Sequence, residues 1–174
     1  MMAIKKILVI VLFFFSLNFS LYAEVPRYLD FKLILNESDA GKKAQSFLKK
    51  KLESGIANIK KKEKSFQEDE KIIIQQKKII SAEEYKKKVS ELRNKVSEIQ
   101  KERGELLENV AKQRAKARNE ILKNLNPIVK NYMNEKKIRM VIDKKNILLA
   151  DETLDITKDI MALLNKKLKS INLN

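Results

Sequence analysis

The chain has 174 residues, and 38 basic against 23 acidic side chains give it a net charge of +15. It contains no Cys and no His, which excludes disulfide bonds, thiolate or imidazole catalysis, and zinc sites built from either residue. Only three glycines and two prolines are present, too few for the turns of an all-β fold, and no glycine-rich phosphate-binding motif occurs. An enzyme is therefore the class that this composition favours least.

The first 23 residues have the pattern of a secretory signal peptide. Lys5 and Lys6 precede an apolar run over residues 7–15, and the small residue Ala23 closes the segment. This pattern predicts export of the chain, with cleavage between Ala23 and Glu24. The apolar run is shorter than the roughly 20 residues that a membrane-spanning helix needs, and an uncleaved membrane anchor is the alternative interpretation.

Positive charge is concentrated in the middle of the exported chain. Removal of residues 1–23 leaves a net charge of +13, and residues 42–136 hold 26 basic against 14 acidic side chains. The two ends are therefore nearly neutral. A basic segment of this kind attracts acidic partners over long distances, although runs of lysine also occur simply as solvated faces of helices.

The segment from Ala40 to Ile80 is predicted to form a long helix, because it contains no proline and its apolar residues repeat every seven positions. The companion heptad position is apolar near the start of the helix but is later filled by Glu63, Glu70 and Lys77. We therefore expect the apolar stripe to narrow toward residue 80. The heptad repeat consists of Leu52, Ile59, Phe66, Ile73 and Ile80.

A second helix is predicted to begin after Ser81, whose hydroxyl can cap it. Its apolar positions alternate in steps of four and three from Tyr85 to Ala117, as in a heptad with two apolar positions. Two such helices, joined at one capped break, fold back most simply as an antiparallel hairpin, and about 40 residues make an arm of roughly 60 Å. Pro127 lacks a backbone donor, so we expect it to kink or end the second helix near Asn126.

The end of the chain has a different pattern. Residues 138–142 are rich in β-branched side chains, residues 147–150 are apolar, and the polar turn between them predicts a β-hairpin. A last helix is predicted from about residue 155, and residues 27–31 form a further candidate strand. Three short strands are marginal as an isolated sheet, and a thin helical hairpin adds little core. We therefore expect several copies of the chain to pool their strands in one shared sheet or barrel.

Two parts of the sequence resemble the Skp/OmpH family of periplasmic chaperones. Leu29–Ala44 resembles the family's opening strand and the start of its first long helix, and Met140–Asp151 with Leu154–Thr157 resembles its late strands. The resemblance covers essentially the whole exported chain. It implies a mainly helical homotrimer, in which a small β-barrel body carries three helical arms that enclose a cavity. It also implies a periplasmic, ATP-independent holdase, without a cofactor, for unfolded outer-membrane proteins.

The resemblance divides the chain into a signal peptide (1–23), an N-terminal strand of the body (24–39), the helical arm (40–136), and a β-hairpin with a C-terminal helix that completes the body (137–174). The candidate residues of the trimer body are Met140, Ile142, Ile147 and Leu149. The candidate client-contacting residues of the arm are Lys60, Lys61, Lys62, Phe66, Ile73, Ile80, Tyr85, Lys86, Lys87 and Lys88. Packing inside the hairpin is the alternative for the apolar residues, and plain solvation is the alternative for the lysines.

Three acidic residues near the end of the chain raise the question of a calcium site. Asp143, Asp151 and Asp155 lack the spacing and the glycine of an EF-hand loop. We therefore expect them to cap turns and helices.

Two other functions are open at this point. The chain can be a basic coiled-coil structural protein of the envelope, bound to an anionic membrane surface, or a non-specific nucleic-acid binder. Export would remove the nucleic acid, and aromatic residues make up only 6% of the sequence. Suppression of the aggregation of an unfolded outer-membrane protein separates a chaperone from a structural protein.

Overall fold

A computed structural model describes residues 25–173. Its elements follow the chain as β1 (Arg27–Leu29), α1 (Phe31–Glu37), α2 (Asp39–Gln76), α3 (Ala82–Glu135), β2 (Val141–Asp143) and α4 (Thr157–Lys167), with 3-10 turns at Lys144–Asn146 and Glu152–Leu154. The fold is mainly helical with a small strand part, as the sequence predicts. The predicted signal peptide and its cleavage site at Ala23 and Glu24 lie outside the described residues.

Side-chain caps fix where the first three helices begin. Asp30 caps α1 and Ser38 caps α2 through their side-chain oxygens. The Ser81 hydroxyl accepts a hydrogen bond from the backbone N–H of Glu84 at 3.1 Å, which confirms the predicted cap of α3. The first long helix is shorter than predicted, because it ends at Gln76 and the following residues form a turn.

The long helices α2 and α3 lie side by side and run in opposite directions. Near the base of the pair, the Lys51 ammonium donates to the Gln113 side chain at 3.1 Å. Near the turn, the Lys88 ammonium donates to the Gln76 side chain at 3.1 Å. Partners on α3 therefore come earlier in the chain as those on α2 come later.

Pro127 does not end the second long helix near Asn126, which was one of the two outcomes that the sequence left open, the other being a kink. Helix α3 continues through Pro127 to Glu135. Its buried residues Ile121 and Leu125 lie before the proline on the face that meets the core. An interior proline costs about 3 kcal/mol, whereas each fully buried Ile or Leu side chain contributes roughly 1.5–3 kcal/mol. Tertiary packing on both sides of the proline thus outweighs the lost hydrogen bond.

One apolar cluster holds the base of the arm against the rest of the chain. It joins α1, the C-terminal part of α3, and α4, and its buried members are Leu29, Ile34, Ile121, Leu125, Ile128, Ile156, Ile160 and Leu164. At its edge, the Tyr132 hydroxyl donates a hydrogen bond of 2.6 Å to the Asp159 carboxylate. This hydrogen bond, aided by burial, raises the pKa of Tyr132 above its ordinary value. The cluster ties the two ends of the chain to α3.

The strands form a two-stranded parallel sheet and not the predicted hairpin. Tyr28 of β1 is opposite Ile142 of β2, and a bridge to Asp155 covers the other side of β1. The apolar run at residues 147–150 is not a strand. The Asp143 carboxylate accepts a hydrogen bond from the backbone N–H of Lys145 at 3.2 Å and starts a 3-10 turn. This turn leads the chain away from β2, so the predicted hairpin pairing within one chain is wrong.

The three late aspartates have the turn and capping roles that the sequence predicts. Each carboxylate accepts a hydrogen bond from the backbone N–H two residues further on. Hydrogen bonds from the side chain and the backbone N–H of Thr153 lower the pKa of the Asp151 carboxyl group below its ordinary value. Among residues 25–173, no group of three or more His, Cys, Asp or Glu side chains is placed to hold a metal ion.

Gly41 permits the close approach of α1 and α2. A Cβ atom at this position would lie 2.1 Å from the backbone oxygen of Leu35, which belongs to α1 and cannot move freely. Gly104 is different, because a Cβ atom there would have no neighbour within 4 Å among residues 25–173. A side chain larger than hydrogen is therefore obstructed at position 41 and has open space at position 104.

We expect Gly41→Ala to lower the free energy of unfolding by about 2 kcal/mol or more, because α1 must shift away from the core. Gly104→Ala is the matched control and should raise stability by roughly 0.5–1 kcal/mol, because alanine favours the helix. Urea unfolding followed by circular dichroism measures both. Equal stability of the two variants would contradict the role of Gly41.

Candidate binding surface of the helical arm

Polar pairs hold much of the outer part of the arm together. The Lys62 ammonium lies 2.6 Å from the Glu102 carboxylate, and the Arg103 guanidinium lies 2.6 Å from the Glu63 carboxylate. All four side chains are more than a third exposed. Exposed ion pairs contribute roughly 0–1 kcal/mol each. The outer arm is therefore held in register without a large stabilising core.

The predicted apolar contact residues lie mainly between the two helices. Phe66 is half-buried beside α3 and, with Leu92, Val96 and Ile99, lines a groove of about 570 Å³. The ammonium of Lys95 lies 5.7 Å from the centre of the Phe66 ring. The groove exposes apolar surface to solvent while Phe66 also packs within the hairpin. The position is compatible with either of the two interpretations given for this residue.

The remaining apolar candidates lie toward the turn of the arm. Ile73, Ile80 and Tyr85 are each half-buried. The Lys77 ammonium lies 5.7 Å from the centre of the Tyr85 ring, a distance at which a cation is attracted to the aromatic face. Ile72 and Ile74, on either side of Ile73, are 50% and 58% exposed. Sequence reasoning missed these two residues because they lie outside the heptad repeat.

The lysine triplets do not behave as uniform solvated runs. In the triplet at residues 60–62, Lys62 reaches across to α3, whereas its two neighbours are exposed. In the triplet at residues 86–88, Lys88 reaches across to Gln76, and Lys86 and Lys87 are exposed. The last lysine of each triplet thus links the helices. Its two predecessors present their charge to solvent.

The candidate body residues lie in β2 and in the segments directly before and after it. Ile142 and Ile147 are half-buried, whereas Met140 is 55% exposed and Leu149 is 90% exposed. Leu148, which was not among the candidates, is 96% exposed. Its place in the apolar run at residues 147–150 was the available signal. Two adjacent leucines in full contact with water form an unusual apolar surface.

No helix within residues 25–173 has both the length and the hydropathy required to cross a bilayer.

Comparison with known proteins assigns the family. The chain matches the family described as outer membrane protein (OmpH-like) over residues 27–164 and therefore belongs to it. The fold is similar to that of an OmpH-like protein from Caulobacter crescentus CB15, described as an outer membrane chaperone, with a TM-score of 0.77. The two sequences are 20% identical, and the similarity covers 85% of this chain and 89% of the other. A comparison with curated proteins finds no match.

We expect the outer arm to open locally more often than the base. No residue between Ile59 and Ile99 is buried, whereas residues 121–128 contain three members of the apolar cluster. Local opening is easiest where few apolar contacts hold the backbone. After correction for intrinsic rates, amides of residues 72–89 should exchange at least about tenfold faster than those of residues 121–128. Equal protection of the two segments, measured by hydrogen exchange and mass spectrometry, would contradict this expectation.

Proposed function

We propose that this protein is an ATP-independent periplasmic holdase chaperone that binds unfolded outer-membrane proteins and prevents their aggregation in transit. Membership of the OmpH-like family is the observation that carries the proposal. The fold similarity to a protein described as an outer membrane chaperone supports it. The predicted signal peptide supports periplasmic localisation.

The chemistry of the arm fits clients that have no fixed shape. Exposed lysines attract acidic segments over a distance of about one Debye length, roughly 8–10 Å in physiological salt. Partly exposed isoleucines and the groove at Phe66 offer apolar contacts. Many weak contacts on one molecule raise the total affinity without a tight single site. An unfolded chain can thus be held and later released without nucleotide hydrolysis.

We further propose that the active form is a homotrimer whose body combines residues 24–39 and 137–174 of each copy, with residues 40–136 as the arm. The two-stranded sheet within one chain is too small to be stable alone. The outer edge of β2 has no strand partner within residues 25–173. Leu148 and Leu149, in the segment that follows β2, add exposed apolar surface. Contacts between copies would cover both features.

The chaperone activity is tested by diluting a urea-unfolded outer-membrane β-barrel protein into buffer with and without this protein. We expect light scattering by the client to fall sharply at a molar excess of this protein, with no nucleotide present.

A charge-reversal variant tests the electrostatic part of the proposal. It should capture an acidic client about tenfold more slowly at low salt, because electrostatic steering acts on the association rate. The variant changes Lys60, Lys61, Lys86 and Lys87 together to Glu.

The design spares Lys62 and Lys88, whose contacts hold the two helices together. At high salt the wild type and this variant should capture the client at similar rates.

Unchanged aggregation in the presence of the wild-type protein would refute the chaperone activity. Binding to anionic vesicles without any effect on client aggregation would favour the envelope structural protein.

The assembly is tested by changing Leu148 and Leu149 together to Asp. Both side chains are exposed in the single chain, so the variant should retain its helical fold. Charges in an apolar interface should shift the protein from trimer to monomer, because removing a carboxylate from water costs a large amount of free energy. Leu107→Asp, at a 52% exposed position on the arm, is the control and should remain trimeric. A wild-type protein that sediments as a folded monomer at micromolar concentration would exclude the proposed assembly.

A further inference from the structure

A second groove lies at the base of the helical arm, far along α2 and α3 from the turn. Its volume is about 820 Å³, and its lining includes α1 as well as both long helices. Leu48 and Leu52 of α2 and Val110, Ala117 and Ile121 of α3 form an apolar floor. This volume is in the range of grooves that accept one or a few side chains of a ligand.

Basic side chains surround this floor. Lys42 and Lys49 of α2 and Arg114 and Arg118 of α3 line the groove, and among the described residues of its lining Glu37 is the one carboxylate. Glu37 is already paired with Lys42 at 3.1 Å. Within residues 25–173, neither arginine forms an ion pair or a hydrogen bond with another side chain.

The two arginines are placed to act together. They are four residues apart on α3 and therefore neighbours on one face of the helix. Each guanidinium offers a planar set of donors that matches the geometry of a carboxylate. The groove thus combines apolar burial with recognition of negative charge.

The protein's own C-terminal tail shows what kind of segment these helices accept. The tail after α4 has no regular structure, and Leu173 packs against Ala44, Leu48 and Ala117. The backbone oxygen of Leu173 accepts a hydrogen bond of 2.5 Å from the Gln113 side chain. Neither Leu173 nor Gln113 lines the groove, but Ala44, Leu48 and Ala117 do, so the tail and the groove share part of the seam between the two helices.

We propose that the groove at the base of the arm binds an irregular segment of an unfolded client that presents a large apolar side chain between acidic residues. The inference rests on the proposed function, because it assigns a capture site to that activity. The apolar side chain would contact the floor at Leu52, which is half-buried, and the flanking carboxylates would bind Arg114 and Arg118. A peptide of this composition resembles the tail in having no regular structure. Its negative charge complements the basic lining of the groove.

The test uses the full-length protein and two fluorescein-labelled peptides with a central leucine, flanked on each side by two glutamates or by two lysines. Fluorescence anisotropy should show at least tenfold tighter binding of the acidic peptide. Changing Arg114 and Arg118 together to Glu should weaken that binding at least tenfold. Lys123 and Lys130, changed together to Glu, are the matched control, because they lie on α3 outside the groove and carry the same charge. Their change should alter the affinity less than threefold.

A second pair of variants tests the groove without changing charge. Ser46 lines the groove, and Ser46→Phe should fill it and weaken peptide binding at least tenfold. Ser65→Phe introduces the same side chain at an exposed position of α2 outside the groove and should leave binding intact. Circular dichroism confirms that each variant is folded. If Ser46→Phe does not fold, the arginine variant decides the test alone.

Three results would overturn the proposal. The first is equal binding of the two peptides, or binding that the arginine change leaves intact. The second is a change of oligomeric state on Ser46→Phe, seen by sedimentation, which would assign the groove to a second copy of the chain. The third is displacement of the acidic peptide by phosphatidylglycerol vesicles but not by excess unlabelled peptide.

The groove and the chaperone activity can fail separately. Suppression of client aggregation that persists in a protein with no groove-dependent peptide binding would leave the proposed function standing and remove this site. Groove-dependent peptide binding by a wild-type protein that does not suppress aggregation would remove the proposed function instead.

Discussion

The structure depends on one apolar cluster that is built from distant parts of the chain. Ile34 of α1, Leu125 of α3, and Ile160 and Leu164 of α4 are completely buried in it. Because α3 contributes both to this cluster and to the arm, the orientation of a 54-residue helix is fixed at its C-terminal third. Pro127 lies in that third, where packing is strong enough to keep the helix continuous. The same proline in the outer arm would break the helix more easily, because fewer apolar contacts hold the helix there.

Beyond the cluster, the two helices of the arm contact each other mainly through charged and polar side chains. From Ile59 outward, the helices meet through ion pairs, half-buried side chains and hydrogen bonds from long polar residues. Such contacts fix the register of the helices but contribute little net stability, because their groups are well solvated when separated. A surface of this kind can change its side-chain conformations at low cost. That property is what a protein needs if it is to bind unfolded chains of many sequences.

Local signals in the sequence predicted much of the fold, because they act over a few residues. The cap at Ser81, the heptad repeat and the turn roles of Asp143 and Asp155 depend on neighbours in the chain, and all can be recognised without knowing the core. The pairing of β1 with β2 depends on contacts more than 110 residues apart, so no local pattern indicates it. The groove at the base was missed for the same reason, since Lys49 and Arg114 approach each other only after the arm has folded.

The incorrect hairpin prediction has a physical cause that bears on assembly. An apolar run beside a short strand pairs with it only if the connection permits, and the turn at Asp143 directs residues 147–150 away from β2. In one chain, the outer edge of β2 then has no strand partner within residues 25–173, and the apolar run at residues 147–150 is largely exposed to solvent. These two surfaces differ from each other, so a contact between copies that satisfies both is heterologous. Heterologous contacts close only as rings, and a ring of sheets removes every free edge. Closure of this kind is the simplest physical reason for the proposed trimer to have a barrel at its centre.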